Sequence, residues 1–129
     1  MASGPEQAPH QFRGYQDLDV WQLGMDIAAA CHLLTRGFPR EELFGMTSQI
    51  RRAAASIPFN IAEGWGRDQT GEFVRFLRIA QGSLKEVETQ LLLAERIELA
   101  SRDSVSPILA MTDREGRMIR SLIRSLGGN

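Results

Sequence analysis

A row of polar side chains with mixed chemistry runs along one predicted helix, in the segment EELFGMTSQIRRAAASIPFNIAEGWGR at residues 41–67. Its members recur every three or four residues: Gln49, Arg52, Ser56, Asn60 and Glu63. This spacing places them on one face of a helix. A solvated face does not need an ordered mix of amide, guanidinium, hydroxyl and carboxylate. We therefore predict that this row meets another protein surface at or near a subunit boundary.

A second mixed row lies on the next predicted helix, beside its apolar seam. Its members are Phe76, Ile79, Ser83, Glu86 and Gln90. Two such rows fit pairing across a subunit contact, with Ser83, Glu86 and Gln90 as further interface candidates. They fit pairing between the two helices of one chain equally well, and the sequence leaves both readings open. Trp65 fits either an interface anchor or a core residue, and its place just past a helix end favours the interface.

Arginine is the residue type that could contact phosphate here. All of the 15 basic residues except Lys85 are arginine, a side chain suited to bidentate recognition of phosphate and carboxylate. The densest basic set in the predicted core region is Arg51, Arg52, Arg75 and Arg78. Of these, Arg51, Arg75 and Arg78 are our nucleic-acid candidates. A second basic stripe follows on the fourth predicted helix: Arg114, Arg117, Arg120 and Arg124. A charged stripe is more often a solvated face with partners on its own helix.

The sequence offers no recognisable set of catalytic or metal-binding residues. A ferritin-like metal centre needs Glu-x-x-His pairs, and neither His10 nor His32 has a glutamate three residues before it. Ser56 and Ser83 have no base or oxyanion turn nearby in the sequence. Gly64-Trp65-Gly66 lacks the preceding strand and third glycine of a phosphate loop. We predict no enzyme activity, no metal, no cofactor and no small-molecule substrate.

Composition indicates an ordinary single domain. The chain has 129 residues, 43% of them hydrophobic, and a net charge of −1 that gives no general attraction to nucleic acid or membrane. The single cysteine, Cys31, cannot form an intramolecular disulfide, and it lies in an apolar run typical of a core. No secretory signal is visible, and the longest uncharged run, Ala53 to Ala62, is ten residues long. These features predict a cytoplasmic protein.

Four helical segments account for the rest of the chain, and no segment has a convincing strand pattern. We expect helices at about 17–36, over the segment 41–67 with Gly64 and Gly66 closing it, at about 71–97, and from near 104–107 onward, with Ser106 as the last helix's N-cap. The third has the strongest signal, a heptad seam over three repeats. Its members are Phe73, Leu77, Ala80, Leu84, Val87, Leu91 and Ala94.

Short connections between these segments predict an antiparallel up-down-up-down four-helix bundle. We assign residues 1–14 to a flexible N-terminal arm, 15–126 to the bundle domain, and 127–129 to a disordered C-terminal end.

Pro58 is the one local conflict in this pattern. Inside a helix a proline removes a backbone hydrogen bond and costs roughly 3 kcal/mol. Both the apolar and the polar rows continue through Pro58, so we expect a kinked helix, with Ser56 close enough to bond the freed backbone. Two short helices broken at Pro58 are the alternative.

The chain resembles the four-helix-bundle proteins encoded in intervening sequences of bacterial 23S rRNA genes. The matching segments are DLDVWQ at 17–22, ELFGMTSQIRRAAASIPFNIAEGWGR at 42–67 and EFVRFLRIAQGSLKEVETQLLLA at 72–94. The same superfamily includes the accessory variability protein of diversity-generating retroelements. The fourth helix resembles the family in apolar pattern alone.

The resemblance implies a bundle assembled as a ring-shaped homopentamer around a central channel, in a bacterial cytoplasm. No catalytic activity is established for the rRNA-linked members, whereas the retroelement members are basic and bind nucleic acid and a reverse transcriptase. The net charge of −1 departs from that basic subgroup. The first hypothesis is thus a non-enzymatic oligomeric scaffold for RNA or for a nucleic-acid-handling protein. The second is a module that binds RNA or DNA directly through its arginine stripes.

Overall fold

A computed structural model of the chain describes residues 14–128, and every regular element in that range is helical. The four long helices are α1 (Asp19–Thr35), α2 (Ser48–Gly66), α3 (Thr70–Arg96) and α4 (Arg102–Ser125). A 3-10 turn, Tyr15–Asp17, precedes α1. The predicted all-α chain of four helices is confirmed. The assignments made for residues 1–13 and for Asn129 lie outside the described residues.

The apolar stripes of the four helices meet in one core. The main helix contacts join α1 to α2, α2 to α3, α3 to α4, and α4 back to α1, which is the arrangement of a four-helix bundle. All seven members of the predicted α3 seam are buried, with exposed fractions of 8% or less. Cys31 is fully buried in this core, and its burial raises the pKa of the thiol to about 12.

The connection from α1 to α2 is irregular, and the second helix begins later than the sequence pattern predicts. A 3-10 turn at Arg40–Glu42 leads into a single wide turn at Leu43–Thr47, in which Gly45 has non-helical angles of φ −111° and ψ −113°. Because the chain is not yet α-helical there, Leu43 is 45% exposed and Phe44 is 92% exposed.

α2 runs through Pro58 as one helix, so the alternative of two short helices is wrong. A proline at this position leaves the main-chain carbonyl of Ala54 without its usual helical donor. The Ser56 hydroxyl donates instead to the carbonyl of Ala53, at 2.8 Å. Ser56 therefore does not repair the bond that Pro58 removes, contrary to the expectation from sequence.

The ends of α3 and α4 are set by local hydrogen bonds. Ser101 is the N-cap of α4, because its hydroxyl accepts a hydrogen bond from the Ser104 amide at 3.2 Å, so the predicted cap at Ser106 is wrong. At the other end of α4, Gly127 has a φ of +89° and the Gly128 amide reaches back to the Ile123 carbonyl. The same closing pattern ends α3, with Glu98 at φ 66° in the place of glycine.

Candidate interaction surface

The polar rows of α2 and α3 come together at an open groove on the outside of the bundle. Gln49, Arg52, Ala53 and Ser56 of α2 and Glu86 of α3 line this groove, whose volume is about 430 Å³. Four of these five side chains belong to the rows that the sequence singled out. We call the set of five residues the α2–α3 groove.

The α2–α3 groove has opposite charges on its two walls that do not pair with each other. The guanidinium of Arg52 donates to the hydroxyl of Ser48, its neighbour one turn back, at 3.3 Å. Among the described residues no ion pair joins Arg52 or Glu86 to any partner, and both are exposed. Arg52 and Glu86 are therefore both available to form ion pairs with an approaching protein.

The remaining members of the α2 row are engaged within the chain. The side-chain amide of Asn60 donates to the carbonyl of Ser56 at 2.7 Å. Glu63 forms an exposed ion pair with Arg67, with an N–O distance of 3.1 Å. Such an exposed pair contributes at most about 1 kcal/mol, so Glu63 remains accessible to other partners at little cost.

The remaining candidates of the α3 row, and Trp65, are less exposed. Gln90 is 9% exposed, and its side-chain carbonyl oxygen has no hydrogen-bond partner within the described part of the chain. Ser83 is half-buried. Trp65 packs against the core and meets the ring of Phe73 edge to face, at 5.9 Å between centroids. Gln90 and Trp65 thus contribute to the packing of the single chain.

Phe59 was not among the predicted residues, although its exposure is unusual for its type. It lies in the middle of α2 and is 68% exposed, three residues beyond Ser56. The sequence contained a signal for it, since Phe59 falls outside the apolar stripe that passes through Ile57 and Ile61. Aromatic residues and arginine are the side chains enriched at the centre of protein–protein contacts, and α2 exposes one of each in Phe59 and Arg52.

A close approach of backbones fixes α3 against α2 at one end of this surface. A Cβ atom built at Gly64 would stand 2.6 Å from the Cβ of Phe76 and 3.1 Å from Cδ1 of Phe73. Only glycine fits at this distance without a shift of the helices. Gly82, on α3, has no neighbouring atom within 4 Å of such a Cβ.

Two arginines lie over the ring of Phe76, close to the acidic side chain of Glu72. The guanidinium carbons of Arg75 and Arg67 lie 4.5 Å and 4.9 Å from the ring centroid. Arg75 also pairs with Glu72 at 3.1 Å. The hydrogen bond from Arg75, helped by the charges of Arg75 and Arg67, lowers the pKa of Glu72, and the same bond raises the pKa of Arg75. Arg75 is thus partly neutralised by a carboxylate of its own helix.

Arg51, the second nucleic-acid candidate, ties α2 to the end of α1. Its Nε donates to the Thr35 hydroxyl at 2.8 Å, and its Nη2 lies 3.5 Å from the His32 carbonyl. A cation is stabilised there by the negative end of the α1 dipole. Arg78, the third candidate, is exposed on α3. The structure therefore does not gather the three arginines into one set of unengaged cations.

On α4, the basic stripe is partly paired. Arg117 forms an ion pair with Asp113, one turn earlier, and Arg102 pairs with Glu95 of α3 at 3.0 Å. Arg120 and Arg124 are exposed.

Over the described part of the chain, no group of three or more histidine, cysteine or acidic side chains could hold a metal ion. None of the helices described is long and apolar enough to cross a membrane.

Comparison with known proteins defines the class of protein. A protein of unknown function from the S23 ribosomal protein family of Bacteroides thetaiotaomicron has the same fold, with a TM-score of 0.72 and 24% sequence identity over 81% of this chain and 97% of that one. That likeness concerns the fold alone. The sequence pattern of the family described as 23S rRNA-intervening sequence protein matches residues 16–121. The chain therefore belongs to the 23S rRNA-intervening sequence protein family, as its motifs indicated. No protein with a curated description matches it.

Proposed function

We propose that this protein is a non-enzymatic scaffold that assembles with copies of itself through the α2–α3 groove and Phe59, and that the assembly holds RNA or a nucleic-acid-handling protein. The observation that carries the proposal is the groove itself. Arg52 and Glu86 stand on its two walls without pairing, and an exposed phenylalanine lies on the same helix as Arg52. Neither catalysis nor a small-molecule ligand enters this role, and we place the assembly in the bacterial cytoplasm.

The proposed subunit is an up-down-up-down bundle in which successive helices are antiparallel. Three contacts support this direction of the chain. Arg51, early in α2, bonds Thr35 at the end of α1, and Gly64, late in α2, lies against Phe76 early in α3. The ion pair between the end of α3 and the start of α4 completes the series. Pro58 removes one helical hydrogen bond, and we propose a kink in α2 at that point.

The proposed assembly is a ring-shaped homopentamer, as the family resemblance implies. A ring needs contacts between two different faces of each copy, because its subunits are related by a closed rotation. The α2–α3 groove supplies one such face with both charges. Several copies in one ring would also present each weak contact to a partner several times, which raises avidity.

Direct binding of RNA or DNA through Arg51, Arg75 and Arg78 is the alternative. The contacts of Arg51 with α1 and of Arg75 with Glu72 favour structural roles for two of the three. We therefore place the scaffold first.

Sedimentation velocity of the full chain tests the self-assembly. Burying an exposed phenylalanine contributes about 1.5–3 kcal/mol, so Phe59→Ala should weaken association roughly ten- to a hundredfold and move the profile toward monomer. Arg52→Ala should also move the profile toward monomer, because the carboxylate of the neighbouring copy that pairs with Arg52 is then left without a partner at the contact. Arg120→Ala, an exposed arginine on α4, is the matched control and should sediment as the wild type does. A monomeric wild type would overturn the proposal, and so would Phe59→Ala and Arg52→Ala variants that both sediment as wild type does.

A further inference from the structure

The core of the bundle contains one carboxyl group that the proposed function does not use. Glu115 of α4 has no exposed surface, and neither of its carboxyl oxygens has a hydrogen-bond partner among residues 14–128. Burial of an ionised carboxylate without a partner is costly enough that such a group normally becomes neutral. The burial of Glu115 in the core therefore favours its protonated, neutral form.

The carboxyl of Glu115 lies where three helices meet. A Cβ atom built at Gly24 of α1 would stand 3.1 Å from Oε2 of Glu115, 3.3 Å from Cγ2 of Ile57 and 3.5 Å from the nitrogen of Pro58, both on α2. A side chain at Gly24 would therefore crowd the carboxyl, which would have to shift by a few tenths of an ångström. The group thus lies between α4 and the pair formed by α1 and α2.

The surroundings favour the neutral acid. Gly24, which lies beside the carboxyl, has no titratable side chain, and neither have Ile57 and Pro58, which approach the same point next to Gly24; Pro58 also has no N–H to donate. On the α3 side, the neighbouring position of α4, Gly116, packs on the apolar Leu84. Burial raises the pKa of Glu115 to about 8, and the positive charge of Arg114 on its own helix opposes that shift.

We propose that Glu115 is a proton-controlled latch, which keeps α4 packed on α1 and α2 while it is protonated and loosens that packing when it ionises. The neutral group packs as an uncharged side chain in a dry core. The ionised group needs water or a donor, which it reaches when α4 moves outward. Proton release and the opening of α4 are then linked, and a rise in pH favours the open form.

The direction of the pH effect follows from this linkage. Once α4 is open, Glu115 has the ordinary pKa of a glutamate and loses its proton first, while the closed form keeps it up to about 8. Between these two pKa values, the closed form therefore holds one proton more than the open form. The opening equilibrium should therefore grow about tenfold per pH unit between about pH 5 and about pH 8, and level off above that.

Hydrogen exchange of the full chain tests the latch, with Glu115→Gln as a variant of the same shape that cannot ionise. Dividing the exchange rate of each amide in wild type by its rate in Glu115→Gln cancels the intrinsic pH dependence of exchange. We expect this ratio to rise with pH for α4 amides and to stay constant for the seam of α3. Asp26→Asn, which removes an exposed carboxylate on α1 outside the α2–α3 groove, should exchange as wild type does in both segments. A flat ratio for α4 between pH 5 and pH 8 would overturn the proposal.

Infrared difference spectra give a second readout that does not depend on how the variant folds. Exposed carboxyl groups lose their protons near pH 4, so a protonated-carboxyl C=O band that survives at pH 6 and disappears toward pH 9 reports a buried acid. We expect wild type to show this band and Glu115→Gln to lack it. If wild type has no such band at pH 6, Glu115 is ionised in the folded protein and the latch does not exist.

Discussion

At the scale of single residues, Gly64 decides how closely α2 and α3 can approach. The first added carbon would stand 2.6 Å from Phe76, and Phe73 blocks the same space at 3.1 Å. Both neighbours are buried, so neither can move aside without a shift of a helix. We expect Gly64→Ala to lower the free energy of unfolding by about 1–3 kcal/mol, measured by urea denaturation monitored by circular dichroism.

Gly82→Ala is the matched control on α3, because no atom lies near the added methyl group. Alanine is favoured over glycine inside a helix by about 1 kcal/mol, so this variant should be more stable than wild type. Equal effects of the two substitutions would show that helix propensity, and not the contact with Phe76, governs Gly64.

At the scale of secondary-structure elements, the ends of α3 and α4 share one closing motif but differ in the residue at its left-handed position. α4 has Gly127 there with φ +89°, whereas α3 has Glu98 with φ 66°. A residue with a Cβ pays roughly 1–2 kcal/mol for that conformation. We therefore expect Glu98→Gly to raise the unfolding free energy by about 1 kcal/mol, and Gly127→Ala to lower it by a similar amount, both in urea denaturation. A Glu98→Gly variant less stable than wild type would mean that the side chain of Glu98 makes a compensating contact.

The interiors of these helices were predictable, while their ends were not. The α3 seam repeats over three heptads, and so many apolar positions at one spacing leave no other secondary structure that can bury them. The start of α2 depends on the backbone angles of one residue, Gly45, which no periodicity records. The start of α4 depends on whether Ser101 or Ser106 bonds a nearby amide, and both serines fit the composition of a cap.

At the scale of the whole molecule, the arginines decide between a scaffold and a direct nucleic-acid binder. Each phosphate contact releases condensed counterions, so log affinity for a duplex falls with log salt by about 0.9 per contact. With a net charge of −1 and with Arg51 and Arg75 engaged within the chain, we expect no detectable binding of structured RNA or duplex DNA near physiological salt. Fluorescence anisotropy over a salt series measures this.

The double variant Arg75→Gln/Arg78→Gln is the informative comparison for that titration. If wild type binds at low salt and this variant binds equally well, these side chains are not the contact. If wild type binds near physiological salt and the variant does not, while both sediment alike, direct recognition replaces the scaffold as the leading function.

The candidate surface was only partly accessible from sequence, for a physical reason. Helical spacing puts Gln49, Arg52 and Ser56 on one face, and in the structure they line the α2–α3 groove together with Glu86. Spacing cannot say which polar groups are already engaged, because that depends on neighbours in space. Arg51 has the same side chain as its neighbour Arg52, yet it forms a hydrogen bond with Thr35 of α1.

The contact between Gly24 and Glu115 also has a consequence for how this sequence can change over time. Any side chain at Gly24 would press on a carboxyl group that comes from the opposite half of the chain. A larger residue there becomes tolerable once Glu115 has been replaced by a shorter one, and the shorter residue alone would leave a void. Each change is thus harmful alone and acceptable in combination. In an alignment of descendants, these two positions should vary together, and lineages that lost the acid should also be the ones that gained a side chain at position 24.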